Sequence, residues 1–587
     1  MFKKTLFLFI ALVSLFHAGA SSVIPIDTGE QKIRLNQIGF YPGAQKIAIV
    51  ISLQSDRFAI QELDGHTVFR GKLVLSLKPG LNGGYSKVAD FSAFNQIGTY
   101  RLNVPGIGYS YPFRIAKSVH SKVAAASIKA YYFARASIPI KAKYAGKWSR
   151  AAGHPDDHVL VHPSAAGEDR PSGTIISSPR GWYDAGDYNK YVVNSGISTY
   201  TLLSLYEDFP VHMKTVMLNL PESGNGIPDI LNEALWNIRW MLTMQDPYDG
   251  GVYHKLTNAS FDKMVMPNLA TTTRYVVQKS TAATLDFAAV MAQSARIFKQ
   301  YQKEVPGLSD SCLSAAKKAW AWAQQNPGLL YRQNAINQKF DPKITTGEYG
   351  DGNVSDEFLW ASAELFVTTG ESQYLKIVDQ SEEKAIVLAA WDQVGTLGYY
   401  SILRYRNSLK ISYPDLTGLK KKFLDFADGL ICNTDSTAFK TVIQKRPSNF
   451  IWGSNALAAN QGMALIVAYK ISGDKKYLQQ ALANLDYLFG RNGTGYSYVT
   501  GFGSLTPMHP HHRPSIADGI IEPIPGLLVG GPNPGMQDHI RVPSIVPDEA
   551  YIDDDRAYAV NEIAINWNAP LAYLLNALEA LQIDLNN

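Results

Sequence analysis

Residues 121–137, SKVAAASIKAYYFARAS, read as a helix: Ala and Lys are strong helix formers, no Gly or Pro interrupts the run, and Ser121 suits its start. The chain before this stretch has another texture. Lys46–Ser52 (KIAIVIS), Thr67–Leu75 and Thr99–Val104 are short, β-branched or aromatic and partly alternating, with turns at Lys78-Pro79-Gly80 and Pro105-Gly106. Residues 31–116 therefore predict a small antiparallel β-sandwich. After residue 117, Ala- and Leu-rich helical patterns recur at 280–301, 309–325, 355–369, 455–471, 474–489 and 558–581. Strands followed by a long run of helices predict separate domains in a mainly α protein. About a dozen helices over 117–587 suit a toroid of helix pairs, with a solenoid as the alternative. Polar loops at 145–182, 330–352 and 491–557 are longer than connectors need, so they are expected to build a site on one face.

Hydrophobic residues make up 46% and charged residues 18% of the 587, a globular composition with an ample core. Residues 1–20 read as a secretory signal, with Lys3 and Lys4, an apolar run over 5–16, and Ala18-Gly19-Ala20 as the cleavage site. The expected location is secreted or periplasmic. No later run has membrane-spanning length, so no membrane partner is expected. The net charge is +4 without a basic cluster, which argues against nucleic acid. Cys312 and Cys432 are expected as free thiols, with a disulfide as the alternative. A monomer is expected.

Several clusters could carry chemistry. In Trp182-Tyr183-Asp184-Ala185-Gly186-Asp187, two carboxylates stand close together among aromatics, and Gly181 and Gly186 permit tight turning. Paired acids suit water activation, and aromatic rings suit sugar faces. Read locally, the same stretch equally fits an Asp turn capping the helix that follows. Tyr551-Ile552-Asp553-Asp554-Asp555 precedes a predicted helix that carries Glu562 and an apolar run, so Glu562 is expected to be partly buried, with a raised pKa suited to a general acid. Met508-His509-Pro510-His511-His512-Arg513 suggests hydroxyl binding more than metal, because Arg513 would repel a cation. His154, His158 and His162 read as polar loop residues, with a metal site as the lesser alternative. Glu348–Glu357 (EYGDGNVSDE) is oxygen-rich and could hold calcium, or Ser355 could cap a helix there.

Together these clusters resemble glycoside hydrolase family 9, the cellulase family with an N-terminal immunoglobulin-like domain, over nearly the whole chain after the signal. Ile33–Phe40 (IRLNQIGF) is similar to the start of that domain, and Asp184–Asp187 to the family's base motif. Tyr551, Asp553, Tyr558, Glu562, Asn568 and Ala569 match the C-terminal signature. Ser497 or Thr500, Gly503, Pro510, His511 and Arg513 match the histidine signature, while Leu505 departs from it.

The resemblance implies an (α/α)6 barrel at 117–587 behind an all-β Ig-like sandwich. It implies Asp187 as general base, Asp184 sharing or orienting its water, and Glu562 as general acid. His511 and Arg513 would bind sugar hydroxyls, supported by Asp553. Trp182, Tyr183, Trp452 and Tyr558 are the expected sugar contacts. No cofactor is implied for the chemistry. Asp356 and Glu357, with Asp392 more distant, match a calcium-binding stretch, and the zinc site of some relatives is not carried over because the base region lacks cysteine.

The implied activity is inverting cleavage of β-1,4-glucosidic bonds in cellulose-type glucans or cello-oligosaccharides. Two alternatives stand beside it. One is exo-β-glucosaminidase action on chitosan oligomers, with Asp156, Asp157, Glu168 or Asp169 meeting the ammonium. The other is a non-catalytic carbohydrate-binding protein.

Overall fold

A computed structural model describes residues 31–381, 385–409 and 416–586. The expected signal, residues 1–20, lies outside the described residues. Nine strands between Ile33 and Ile115 are hydrogen-bonded together, eight along one path and Gly108–Tyr109 as a side branch on Gly98–Val104. The Thr67–Leu75 strand pairs with Arg57–Glu62 and then, through Leu73–Leu75, with Lys87–Asp90. It thereby joins two antiparallel faces around a core of Phe40, Phe58, Phe91, Phe94, Tyr100 and Phe113, as the alternating pattern predicts.

This β domain is braced against the helical part by the IRLNQIGF segment. Asn36 Nδ2 donates to Asp486 Oδ1 at 2.8 Å, and the Gln37 amide N–H donates to the Phe489 carbonyl at 3.0 Å. Gln37 Oε1 accepts the backbone N–H groups of Ser504 and Leu505 at 2.8 and 2.9 Å, so the β domain holds the long loop that carries His511. The residue that departs from the histidine signature, Leu505, makes this contact through its backbone.

Among the described residues, the twelve longest helices frame the rest: α1 (Ser121–Ala134), α2 (Val192–Asp208), α3 (Asp229–Met244), α4 (Thr281–Phe298), α5 (Leu308–Gln325), α6 (Ser355–Thr369), α7 (Ser372–Ser381), α8 (Gly395–Tyr405), α9 (Leu416–Ile431), α10 (Ser454–Ser472), α11 (Lys475–Leu488) and α12 (Ile565–Ala580). The even-numbered helices touch in a closed ring, with α12 returning to α2, and the odd-numbered helices pack outside them. This is the (α/α)6 toroid, not the solenoid. Inner helices are buried nearly all round, which their Ala, Gly, Ser and Thr content permits. At the C-terminal end of α2, Glu207 and Asp208 are buried in an ion network with Arg296, Arg404 and Lys470, which ties α2 to α4, α8 and α10. Breaking such a network by removing one partner leaves an uncompensated buried charge, so its place at the end away from the loops is structural.

Two expectations are corrected. The predicted 558–581 helix is split: a turn at Tyr558–Asn561 ends at Glu562, whose backbone is extended, and α12 starts only at Ile565. The break occurs because Glu562 bridges to His511 and Ile563 to Val529. Ser355 is the first residue of α6 rather than its cap, which is Val354. Cys312 is buried and Cys432 exposed, and both are free. Among the described residues, no helix is long and apolar enough to cross a membrane.

Candidate active site

The base motif lies between the end of α1 and the start of α2. Gly181 there has φ +79°, a conformation that favours glycine. The capping alternative fails: the cap of α2 is Tyr191, without a side-chain bond, and Asp187 bonds side chains instead. The Asn189 amide and the Tyr191 hydroxyl, the latter at 3.0 Å, both donate to Asp187 Oδ2. Oδ1 has no hydrogen bond among the described residues and remains for a ligand. Asp184 differs, since both its oxygens are occupied. Asn194 donates to Oδ1 and the Tyr349 hydroxyl to Oδ2, each at 2.9 Å. Burial and the neighbouring Asp187 push Asp184 up to about 8, so near neutral pH this pair does not carry two full charges.

Glu562 meets this motif across Gly186. A methyl group on Gly186 would fall 2.5 Å from the His511 carbonyl and 3.3 Å from Glu562 Oε1. Only glycine lets the two segments approach this closely. Burial, with the charges of Asp187 and Asp184 beside it, holds the Glu562 carboxyl well above the usual carboxylate range. A carboxyl raised in this way suits a proton donor, and it gives up its proton as pH rises through the raised pKa. Gly186→Ala should lower both turnover and stability, the latter by about 1–3 kcal/mol from overpacking; thermal melting and a glucan assay check this, and an unchanged variant would contradict the close approach.

The histidine loop is built by side chain-to-backbone bonds. Asp553 accepts the N–H groups of Met508 and His509 at 2.7 and 2.9 Å and the Asn561 amide at 3.0 Å. Tyr551 donates to Asn561 Oδ1 at 2.6 Å. Asp553 therefore positions His511 rather than touching the reacting groups. His511 Nδ1 donates to the Asp555 carbonyl at 2.6 Å, and burial lowers its pKa, so Nε2 of the neutral ring is an acceptor.

Sequence reasoning missed several partners. Tyr191, Asn189, Asn194 and Tyr349 hold the two aspartates. Thr257 Oγ1 and the Asn258 N–H, at 3.0 and 2.9 Å, donate to Asn189 Oδ1, which orients its amide toward Asp187. Tyr349 lies within the acidic stretch read as a calcium candidate, and no spacing signal ties it to residue 184.

Some expected sugar contacts are corrected. Trp182 is 0% exposed and its indole donates to Glu233 at 2.9 Å, so it is a core residue. Tyr183 is buried, its hydroxyl paired with His154 at 2.8 Å. Arg513 is buried and donates to the carbonyls of Gly186 and Asp262, which fastens the base motif instead of offering a free guanidinium. Trp452, 40% exposed, leans on Tyr558 at 5.3 Å, and Tyr558 meets His511 edge-on at 5.8 Å. These three rings pack in series beside Glu562, with Trp452 exposed and Tyr558 and His511 half-buried. Beside the aspartates, half-buried Trp391 and Tyr349 and the buried Tyr191 pack edge-on in series.

The histidines of the first loop do not converge. His154 bonds Tyr183, His162 bonds Ser164 and the Pro342 carbonyl, and His158 is exposed beside Asp157. Among the described residues, no three His, Cys, Asp or Glu side chains form a metal cage. One carboxylate cluster is nevertheless unbalanced. Asp286 Oδ1 and Oδ2, Asp351 Oδ2, Asp356 Oδ1 and Glu357 Oε2 are buried without hydrogen-bond partners, and burial, with the charge of Asp356 beside them, raises Asp286, Asp351 and Glu357. Asp392 is raised chiefly by burial and also by Asp351. Orphaned carboxylate oxygens are the ligands a hard cation takes.

Paired aspartates, a facing glutamic acid raised by burial and aromatic rings on both sides define a glycoside hydrolase, an enzyme that needs no cofactor for this chemistry. The sequence profile of Glycosyl hydrolase family 9 matches residues 120–575, and that of the Cellulase N-terminal ig-like domain matches residues 28–109. The chain belongs to glycosyl hydrolase family 9. It is 47% identical over 569 residues to the xyloglucan-specific endo-β-1,4-glucanase of Bacteroides ovatus, covering 96% of each chain. It is 35% identical to endoglucanase D of Acetivibrio thermocellus, covering 98% of this chain and 86% of that one. A solved Bacteroides ovatus family member superposes with a TM-score of 0.90 at 46% identity, covering 94% of this chain and 99% of that one.

Proposed function

We propose that the chain is a secreted or periplasmic, monomeric, inverting β-1,4-glucanase, with a sandwich at 31–116 bracing a catalytic barrel at 117–587. The observation that carries this reading is the meeting of Asp187 and Glu562 across Gly186. Asp187, with Oδ2 held by two donors, takes a proton from water through Oδ1. Asp184 shares that water. Glu562 protonates the departing glycosidic oxygen on the opposite side of the sugar. Inversion requires room for water, a carboxyl separation of roughly 6.5–9.5 Å. His511 and Asp553 shape the leaving side, and Trp452 and Tyr558 offer a stacking face.

The glucanase reading is supported by relatives that carry endoglucanase names, the nearest of those cited being xyloglucan-specific. The glucosaminidase alternative is not favoured. Asp156, one of the four acids offered for the ammonium, is buried in ion pairs with Lys190 and Arg274. A binding protein without catalysis is likewise disfavoured by the intact acid and base. Product profiles on xyloglucan, soluble cellulose, cellohexaose and chitosan hexamer test this. Oligosaccharides should appear from β-1,4-glucans and not from chitosan; no release from any glucan would sink the reading.

We also propose that Asp286, Asp351, Asp356, Glu357 and Asp392 hold a structural calcium, which would neutralise this cluster beside α6. Added calcium should then raise Tm by on the order of 5 °C over chelated protein, with a smaller gain in an Asp356→Asn variant. Equal melting with and without calcium would remove the ion.

A further inference from the structure

Behind Asp187 lies a cation that the reaction scheme does not use. The Lys190–Tyr191 strand pairs antiparallel with Lys255–Asn258, and Lys255 stands opposite Tyr191. Lys255 is 0% exposed. Its ammonium donates to Gln333 Oε1 at 2.7 Å, to Thr346 Oγ1 at 3.1 Å and to the Gly347 carbonyl. It sits 5.5 Å from the Tyr191 ring centre and 5.4 Å from that of Tyr331. The Gly347 N–H in turn donates to the Tyr191 hydroxyl at 3.1 Å, and that hydroxyl donates to Asp187 Oδ2. One segment, Thr346-Gly347, is therefore clamped by Lys255 on one side and steers Tyr191 on the other.

Burying an ammonium is costly, and no carboxylate is in hydrogen-bond contact with Lys255 here. The negative groups that face it are Asp187 and Glu348, while Tyr191, Tyr331 and His254 complete its surroundings. Around Asp187 the charged and titratable neighbours are Asp184, Glu562, Asp262, Tyr191, Tyr349, His511, Arg513 and Lys255. Burial raises the pKa of all three nearby acids, Asp184, Glu562 and Asp262.

We propose that Lys255 is a positioning residue for the base: its buried ammonium, by holding Thr346 and Gly347, fixes the Tyr191 hydroxyl on Asp187 Oδ2. The inference rests on the assignment of Asp187 as base. Burial lowers Lys255 to about 7, so the ammonium charge is present below that pH and fades above it.

The test is the pH dependence of kcat/KM on a soluble β-1,4-glucan for Lys255→Gln, which keeps a polar stem without the charge, and for Tyr191→Phe, which removes the hydroxyl and keeps the ammonium. In each, the acid limb should move up by about one pH unit, a roughly tenfold loss on the acid side, with KM unchanged. Folding is checked by circular dichroism and melting; if Lys255→Gln does not fold, the limb of Tyr191→Phe decides. A wild-type limb in the folded variants overturns the inference. Wild-type turnover in Asp187→Asn would instead overturn the base assignment, so the two failures are distinguishable.

Discussion

Glu562→Gln is expected to lower kcat on polymeric glucan by roughly a thousandfold while the protein still folds. Glutamine preserves shape and cannot donate a carboxyl proton. The fold should survive because burial disfavours the charged carboxylate, which glutamine replaces with a neutral group of the same shape. The loss must depend on the leaving group. An aryl cellobioside with a strongly acidic phenol needs no protonation, so its hydrolysis should fall far less than that of cellohexaose. Equal losses on both substrates would mean that Glu562 shapes the site without acting as acid. The wild-type alkaline limb should also disappear in this variant, since that limb reports the loss of the Glu562 proton as pH rises.

Asp187→Asn should cost a similar factor, and on aryl and natural substrates alike, because water activation is needed whatever leaves. Asp184→Asn is the informative companion. Both oxygens of Asp184 already accept protein hydrogen bonds, from Asn194 and Tyr349. Asparagine can keep only one of them, so a smaller but substantial loss is expected. If Asp184→Asn proved inert while Asp187→Asn kept its activity, the roles drawn from the hydrogen bonds would be reversed.

Much of this architecture is legible in the sequence, for local reasons. Residues 121–137 and 355–369 announce themselves through unbroken runs of helix formers, and the short β-branched segments before residue 117 announce the sandwich. What escapes is set by distant pairing. Glu562 sits in a stretch whose composition reads as helix, yet its backbone is drawn out by His511 and Val529. Trp182 has the chemistry of a sugar platform, and only the packing of α3 reveals it as core. Arg513 looks like a ligand for hydroxyls until the carbonyls of Gly186 and Asp262 are in place. Tyr349 and Lys255 lie far from residue 187 in the chain, and no spacing rule connects them. The catalytic carboxyls are therefore readable from motifs, whereas the donors that tune them require the assembled barrel.

The mechanism turns on one stereochemical consequence. If Asp187 activates water from the face opposite the leaving group that Glu562 protonates, the first product must carry the inverted configuration. Proton NMR of the anomeric region, recorded within the first minutes of cellohexaose hydrolysis, reads this directly. The α-anomer should appear first and the β-anomer only later through mutarotation; initial release of the β-anomer would contradict the base–acid arrangement.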